Sequence, residues 1–452
     1  MSEPAGSGRP NVLMVMTDNQ GAWTLGCYGN EEIRTPHIDR LSAGGMRFSN
    51  AYCVNSVCSP SRATWMTGLI PSQHGVHCYL GGEKPDAQMG ADAYCTIEEF
   101  ETLPAALHRK GYACGLSGKW HLGDSLNSQL GFDYWFTKPR GHTSEFYDSE
   151  MIWEGDVYTE SSYVTDAITS HAVDFLENHR SDPFFLLVAY NGPYGLGQSM
   201  TELHVNRHTD FYADRALTCF PREEVHPWLY KNRQIINNET SIRGYAAAVS
   251  GVDDGVGTVL DTLDKLGLAD DTLVIFTSDQ GLCGGHHGMW GMGDHSRPLH
   301  TFEEAIHIPL LFRYPGAIPE GSVFDGRTCN YDFLASVNDY LGLDLELRKS
   351  PGRSYAEGLM GRESTWDGTI FHEFENTRMI RTPRWKYTRR HPEGPDELYD
   401  MKRDPQEREN RVEVEAGEIE GLRSRMDAFF DRYADPEYDL WQGGRSKAGR
   451  LT

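Results

Sequence analysis

Long hydrophobic runs and a surplus of basic residues are both missing from this 452-residue sequence. Lys and Arg number 42 against 66 Asp and Glu, which gives a formal net charge of −24. Such an acidic chain is a poor match for nucleic acid, so we expect no nucleic-acid partner. The apolar stretch Val12–Met16 is far too short to span a membrane, and we expect no membrane association.

Paired cysteine motifs are also absent. The cysteines show no C-x-x-C pair and no zinc-type spacing, and they stand at Cys27, Cys53, Cys58, Cys78, Cys95, Cys114, Cys219, Cys283 and Cys329. An odd, dispersed set fits free thiols of a reducing compartment better than a disulfide framework. The first residues, MSEPAGSGRP, lack the basic segment and apolar core of a signal peptide. We therefore expect a cytoplasmic protein, and the sequence leaves its oligomeric state open, a homo-oligomer included.

The sequence does contain an alternation of apolar runs and helical patterns, with no internal repeat. Continuous apolar runs, typical of strands buried on both faces of a sheet, lie at Asn11–Thr17, Phe184–Tyr190, Thr272–Thr277 and Ile308–Tyr314. Helical patterns lie at Glu98–Lys110, Val164–His179, Ser241–Leu266 and Asp332–Leu341. This alternation predicts an α/β sandwich with a central, mostly parallel sheet flanked by helices.

The character of the sequence changes near Leu345. Short antiparallel strands are predicted at Thr369–Glu375, Thr377–Thr382 and Lys386–Arg390, and an amphipathic helix follows around Ile419–Tyr433. We therefore predict two domains. The first is a catalytic α/β domain over residues 1–345, and the second is a smaller C-terminal α+β domain over residues 346–452.

Cys58 stands in the most informative segment, VCSPSRATWMTG. Ser59 or Ser61 can cap a helix there, Pro60 suits its first turn, and Ala63–Leu69 continues as an apolar helix. This pattern places the cysteine at a helix N-terminus, where the dipole favours a negative charge on a nucleophile or a bound anion.

The Cys58 segment resembles the C-x-P-S-R signature of the type I sulfatases of the alkaline-phosphatase superfamily. A second family signature, G-Y-x-T-x-x-x-G-K-x-H, is similar to GYACGLSGKWH at residues 111–121, where Cys114 replaces Thr. The resemblance implies an alkaline-phosphatase-like fold and sulfuric ester hydrolysis. It also implies that Cys58 is converted to formylglycine by a formylglycine-generating enzyme, the expected maturation partner.

Two pairs of residues, each an aspartate followed by an amide residue, come directly after predicted strands. Asp18-Asn19 ends the first strand, and Asp279-Gln280 ends the strand at Thr272–Thr277. Because ligand sites of open α/β sheets lie at the carboxyl ends of strands, these oxygen-bearing side chains could form one hard-cation site. The resemblance implies the same site, with Cys58 beside it and Ca²⁺ as the expected ion. By the same resemblance, Asn19 stands for an aspartate of the family and Gln280 for an Asn or His, so only two formal charges remain. Mg²⁺ and Mn²⁺ stay as alternatives.

Other family positions are also matched. By resemblance, Cys58 is the precursor of the nucleophile, Arg62 supports that nucleophile, and Lys119 and His121 bind the sulfate group. The expected chemistry is an in-line attack on sulfur, stabilised by cations, with protonation of the leaving alcohol.

Around the ester, two further positions depart from the family pattern. Tyr194 in Asn-Gly-Pro-Tyr replaces a histidine that helps to protonate the leaving group, and a tyrosine is a weaker acid at neutral pH. Met292 replaces a lysine that binds sulfate. A cluster of nearby cations could take over, with His287 ranked first and His300 second among His286, His287, His295, His300 and Arg297.

The sequence thus predicts a metal-dependent, formylglycine-using sulfatase that acts on sulfate esters of a small organic molecule or a sugar. One alternative is a phosphonate monoester or phosphodiester hydrolase on the same fold. The other is a non-catalytic member that binds sulfated ligands, which Tyr194 and Met292 suggest and an intact Cys58 motif opposes.

Overall fold

The computed structural model describes residues 9–81, 85–143, 145–197, 200–201, 205–362 and 366–451. The strands in these residues are β1 (Asn11–Asp18), β2 (Met46–Phe48), β3 (Ala51–Tyr52), β4 (Ala113–Gly118), β5 (Tyr134–Thr137), β6 (Ser149–Trp153), β7 (Asp156–Glu160), β8 (Phe184–Pro193), β9 (Thr272–Ser278), β10 (His307–Ile308), β11 (Leu310–Arg313), β12 (Ser322–Phe324), β13 (Thr328–Cys329), β14 (Ile370–Phe374), β15 (Thr377–Arg381), β16 (Trp385–Arg390) and β17 (Glu397–Asp400). The α-helices are α1 (Pro36–Ala43), α2 (Cys58–Thr67), α3 (Pro71–His74), α4 (Leu103–Arg109), α5 (Val164–Asn178), α6 (Thr209–Tyr212), α7 (Glu239–Leu266), α8 (Glu303–Ile306), α9 (Tyr331–Leu341), α10 (Ala356–Leu359) and α11 (Ala416–Tyr433).

A large central sheet organises the chain. Its strand order is β12-β2-β11-β9-β1-β8-β4-β5-β6-β7. The neighbours β9, β1, β8, β4 and β5 are mutually parallel, whereas the pairs on either side are mostly antiparallel. The prediction of a mostly parallel central sheet is confirmed. Its parallel centre brings the carboxyl ends of four successive strands, β9, β1, β8 and β4, to one edge.

Both faces of the sheet are covered. Along β1, Val12, Met14 and Met16 pack into one apolar cluster with residues of α2, α4 and α9. Leu13 and Val15 pack into the opposite cluster with residues of α1, α5 and α7. This two-sided burial explains why the strands appear as continuous apolar runs rather than as alternating patterns.

A small antiparallel sheet, β14-β15-β16-β17, forms after residue 345, and α11 follows it. Residues of β14, β15 and β16 pack into the same apolar cluster as α11, through Met426 and Phe430 of the helix. These elements lie where the smaller C-terminal domain is predicted. Among the described residues, none of the helices is both long enough and apolar enough to pass through a bilayer.

Candidate active site

Four strand ends supply most of the sequence-predicted site residues. Asp18 is the last residue of β1, with Asn19 after it, and Asp279 follows β9. Lys119 follows β4, and Tyr194 follows β8. Asn19, His121 and Tyr194 all adopt left-handed backbone conformations, with φ of 59°, 60° and 60°. Non-glycine residues rarely adopt this conformation, and such strain concentrates at functional sites.

Cys58 is the first residue of α2, as the sequence predicts, but the helix is not capped as expected. The N-cap is Val57, which offers no side-chain hydrogen bond. Ser59 Oγ instead accepts from Leu80 N at 3.0 Å, and Ser61 Oγ donates to the Asp279 carbonyl. The serines therefore tie α2 to neighbouring segments, and the predicted serine cap is wrong. The helix ends at Thr67, since Gly68 turns left-handed with φ of 67°.

The Cys58 thiol faces the metal-type residues. Its Sγ lies 3.6 Å from Asp18 Oδ1 and accepts a hydrogen bond from Gln280 Nε2 at 3.2 Å. Burial, followed by the Asp18 carboxylate, raises the pKa of the Cys58 thiol. The thiolate expected from the helix dipole is therefore disfavoured, and an unmodified Cys58 would be a poor nucleophile.

Two buried cations neutralise the two carboxylates. Lys119 Nζ donates to Asp18 Oδ2, and Arg62 Nε donates to Asp279 Oδ2 at 2.9 Å. Arg62 also donates to the Lys119 carbonyl at 2.7 Å, which links both cations in one network. Desolvation opposes the charge of Lys119, but the Asp18 carboxylate together with other negative groups of the site raises the pKa of Lys119. Positive charge is thus fixed beside Cys58.

The same residues fit a divalent cation. Asp18, Cys58 and Asp279 each offer a ligand atom, and these atoms lie within 4.8 Å of one another. Gln280 Nε2 is surrounded by Asn19 Oδ1, Cys58 Sγ and Met292 Sδ, whereas its Oε1 is buried without a hydrogen-bond partner. Two carboxylates, with an orphaned amide oxygen on the residue that follows Asp279, suit a hard cation such as Ca²⁺.

His121 presents one nitrogen as an acceptor. Its Nε2 contacts the Leu80 carbonyl at 3.1 Å, so that nitrogen carries the proton. Its Nδ1 is buried and has no hydrogen-bond partner within the described part of the chain. Burial, together with the nearby Lys119 charge, lowers the pKa of His121 well below its usual value, so the ring is neutral. A neutral Nδ1 can accept a proton from a hydroxyl group at the site.

These residues open onto a cavity of about 180 Å³. Four of its lining residues are sequence-predicted, namely Cys58, Lys119, His121 and Tyr194, and Met292, which replaces a family lysine, lines it as well. His295, one of the cluster of nearby cations, also lines it. Sequence reasoning missed other lining residues, which come from loops without a recognisable motif: Tyr79, His142, Leu196, Gly197, Lys231, Asn232 and Asp294. A larger groove of about 710 Å³ shares no lining residue with this cavity, and none of the predicted site residues line it.

The two histidines ranked first in the loop after β9 do not line this cavity. His287 Nε2 lies 2.8 Å from Glu304 Oε2, and its ring stacks on Phe302. His300 Nε2 contacts the Met292 carbonyl at 3.0 Å. Both side chains are occupied by packing within the protein, and the ranking overlooked this because loop sequence alone does not give side-chain direction.

Comparisons with known proteins agree with this geometry. A family model described as Sulfatase matches residues 10–343, and one described as the N-sulphoglucosamine sulphohydrolase C-terminal region matches residues 288–430. An N-acetylglucosamine-6-O-sulfatase of Bacteroides thetaiotaomicron is 26% identical, across 89% of this chain and 82% of the relative. The N-acetylgalactosamine-6-sulfatase of Mus musculus is 30% identical, across 82% of this chain and 70% of the mouse protein.

A solved structure supports the fold. A protein in complex with its substrate D-glucosamine-2-N,6-O-disulfate has a TM-score of 0.74 and 24% identity, and the match covers 96% of this chain and 99% of that one. The Sulfatase family model covers the central sheet and the residues at its strand ends. The chain therefore belongs to the type I sulfatase family of the alkaline-phosphatase superfamily, whose members are sulfuric ester hydrolases.

Proposed function

We propose that this protein is a metal-dependent sulfatase that hydrolyses sulfate esters of a sugar through a formylglycine derived from Cys58. One observation carries the proposal: Cys58 Sγ lies 3.6 Å from Asp18 at a cavity that Lys119 and His121 also line. A nucleophile precursor, a metal-type carboxylate, a fixed cation and a proton acceptor therefore converge on one point.

Maturation would be a two-electron oxidation of Cys58 with loss of its sulfur, which leaves an aldehyde. A formylglycine-generating enzyme would carry it out with its own oxidant. Hydration of the aldehyde gives two hydroxyl groups. One attacks the ester sulfur, the bond from sulfur to the alcohol oxygen breaks, and the alcohol takes up a proton. The other then loses its proton, the bond from carbon to the sulfate oxygen breaks, and the aldehyde returns as sulfate leaves.

The chain's own residues serve these steps. Lys119, held beside Asp18, stabilises the charge on the sulfate oxygens, and Arg62 fixes Asp279 and the Lys119 backbone. His121 Nδ1 is free to accept the proton of the second hydroxyl. A divalent ion held by Asp18, Asn19, Asp279 and Gln280 would add Lewis-acid charge to the same site.

Tyr194 is the candidate for the leaving-group side. It lines the cavity, and burial raises its pKa well above the usual value. It therefore serves as a neutral hydrogen-bond donor to the departing oxygen rather than as a strong acid.

The substrate class follows from the relatives. Those compared include an N-acetylglucosamine-6-O-sulfatase and an N-acetylgalactosamine-6-sulfatase, both of which are named for sulfated amino sugars. We infer that a sulfated sugar is the substrate of this chain as well.

Peptide mass spectrometry of the segment around residue 58, from the native host, tests the proposal. Oxidation of the cysteine to an aldehyde gives a loss of about 18 Da, which no step of the ordinary thiol oxidation ladder gives. The matching activity assay uses sulfated amino sugars and 4-nitrophenyl sulfate, with C58A and chelator-treated protein. We expect the C58A variant and the chelator-treated protein to show no turnover. The control variant Cys27→Ser, which changes another free thiol, should keep its activity.

Other results would contradict the proposal. An unmodified Cys58 in active protein would exclude the formylglycine route. Faster turnover of a phosphonate monoester or phosphodiester than of any sulfate ester would favour the alternative hydrolase. Binding of sulfated sugars without turnover by protein that carries the aldehyde would favour a non-catalytic role.

A further inference from the structure

One wall of the active-site cavity plays no part in the proposed reaction. It contains Lys231 and Asp294. The Asp294 side chain is only 1% exposed, and its Oδ2 lies 3.3 Å from Lys231 Nζ. Its other oxygen, Oδ1, is buried and accepts no hydrogen bond from any residue that the structure describes. A buried carboxylate oxygen without a donor, on a residue that lines a cavity, calls for an explanation.

The described neighbours of Asp294 do not supply that donor. His295 Nδ1 accepts hydrogen bonds from Asn232 Nδ2 at 3.0 Å and from Met292 N at 3.3 Å. Its proton is therefore on Nε2, which lies 3.5 Å from Asp294 Oδ1 without forming a hydrogen bond. The histidine is held in place by its own bonds and leaves Oδ1 open.

The charge of this wall selects the kind of group that fits. Lys231 and Asp294 cancel each other's charge, so the wall offers no net attraction for a second sulfate. It does offer an unused carboxylate oxygen next to an ammonium group with three donors, and the Lys231 side chain is 36% exposed. An acceptor beside a donor matches hydroxyl groups, which donate and accept at once.

We propose that Asp294 and Lys231 form a specificity-determining subsite that binds a ring hydroxyl of the sugar beside its sulfate ester. The inference rests on the proposed function and adds to it the substrate feature that the enzyme recognises. Hydroxyl binding would supply the missing donor to Asp294 Oδ1. The same pair would disfavour an additional sulfate at this position, because that anion would face the Asp294 carboxylate.

The test compares three substrates of the mature, metal-loaded enzyme. They are the methyl glycoside of N-acetylglucosamine 6-sulfate, its 4-deoxy analogue, and 4-nitrophenyl sulfate, which has no hydroxyl. For D294A we expect kcat/KM to fall about 10- to 100-fold on the hydroxylated sugar, as for loss of a charge-assisted hydrogen bond. On the other two substrates we expect no more than about a twofold change. K231M should show the same selectivity.

Two further variants separate recognition from folding. D294N keeps an acceptor oxygen without the charge, so it should recover part of the loss while its melting temperature stays close to that of the wild type. Asp254→Asn changes a partly buried carboxylate paired with His208 outside the cavity, and it should leave all three rates unchanged.

Each other outcome overturns the inference. Equal losses on all three substrates would make Asp294 a structural residue, and no loss on any would remove it from recognition. Turnover of 4-nitrophenyl sulfate but of neither sugar would overturn recognition of this sugar hydroxyl, although the sulfatase reaction stands. No turnover of any sulfate ester by protein that carries the aldehyde would overturn the proposed function itself.

Discussion

Asn19 and Gln280 set this metal-type site apart from the family pattern at the level of single residues. They stand where the family carries an acid and an Asn or His, so only Asp18 and Asp279 bring negative charge. Lys119 and Arg62 already pair with those two carboxylates, which reduces the charge available to an ion. Because calcium affinity falls with the number of charged ligands, we expect this site to bind calcium weakly for its family.

Asn19→Asp tests that expectation. The added carboxylate should strengthen calcium binding by about tenfold or more. The free protein should lose some stability, because Asn19 Nδ2 donates to the Tyr194 carbonyl at 2.9 Å and an aspartate cannot. The measurement is the melting temperature as a function of calcium concentration. Without calcium the variant should melt at a lower temperature than the wild type, and added calcium should raise its melting temperature by more.

Asn376→Asp, in the turn between β14 and β15, is the matched control and should leave the calcium response unchanged. An unaltered calcium affinity in Asn19→Asp would mean that residue 19 is not a ligand.

Single residues also show what sequence can and cannot predict. Asp18, Asp279 and Lys119 were predictable because each follows a strongly apolar strand or lies in a recognisable motif. Lys231 and Asp294 were not, since their loops reach the cavity only through tertiary packing. His287 shows the reverse error: its motif position suggested the site, but its Nε2 pairs with Glu304.

At the scale of elements, a residue of α7 holds the beginning of α1. Asp253 Oδ1 accepts from Ile38 N at 2.8 Å and from His37 N at 3.1 Å, so it caps the neighbouring helix across the fold. Burial nevertheless dominates and raises the pKa of Asp253 from 3.8 to about 7. The native state therefore binds this proton more tightly than the unfolded chain, and stability falls as the pH rises from about 4 to about 7.

Asp253→Asn should weaken that pH dependence. The amide keeps an acceptor for the helix end but cannot ionise. Each unit of pKa difference between the folded and unfolded states is worth about 1.4 kcal/mol. Between pH 4 and pH 8 the free energy of unfolding of the variant should therefore rise relative to that of the wild type by on the order of 4 kcal/mol. The measurement is the free energy of unfolding, in denaturant, of both proteins between pH 4 and pH 8.

The control for this experiment is Asp261→Asn, an exposed carboxylate on the same helix that pairs with Arg40. This substitution should leave the pH dependence of the free energy of unfolding unchanged. Parallel pH curves for wild type and Asp253→Asn would show that residue 253 does not titrate in this range.

Element boundaries were less predictable than the elements themselves. The helix predicted from Glu98 begins at Leu103, with Thr102 as its N-cap and a proline in its first turn. The strand predicted over Ile308–Tyr314 is interrupted at Pro309, which has no N–H for the ladder, and becomes β10 and β11. In both places a single proline changed the outcome of a correct apolar pattern.

At the scale of the whole molecule, a buried charge network joins the two predicted domains. Lys386 of β16 is fully buried. Its Nζ lies 2.7 Å from Glu407 Oε1 and 3.2 Å from Glu303 Oε1. Glu303 belongs to α8 in the first predicted domain, and Glu407 follows β17 in the second. The ammonium group therefore holds two carboxylates from different parts of the chain together.

The largest features of the chain were the easiest to predict. The alternation of apolar runs and helical patterns was enough for the parallel sheet, because burial on both faces leaves a strong signal. The division at residue 345, the cytoplasmic location and the oligomeric state stay predictions. Residue patterns within one chain say little about surfaces that meet a partner or about the compartment in which it works.

Lys386→Met tests whether the charge network couples the two regions. Removal of the ammonium group would leave the buried Glu407 without its ion pair, whereas Glu303 keeps Arg381 and the Tyr52 hydroxyl. Loss of one partner of a buried ion pair typically costs about 3 to 5 kcal/mol. Burial raises the pKa of Glu407 already in the wild type, and loss of Lys386 should raise it further. The variant's loss of stability should therefore grow as the pH rises, which distinguishes lost charge from lost packing.

The measurement is thermal unfolding of the wild type, Lys386→Met and the double variant with Glu407→Gln at pH 6 and pH 8. The double variant should recover part of the melting temperature, because it removes the buried carboxylate that has lost its ion pair. Lys402→Met, at an exposed lysine of the same region, should melt like the wild type. If Lys386→Met instead splits unfolding into two transitions, the network is what makes the two regions unfold together. A melting temperature equal to that of the wild type at both pH values would mean that the network stabilises neither region.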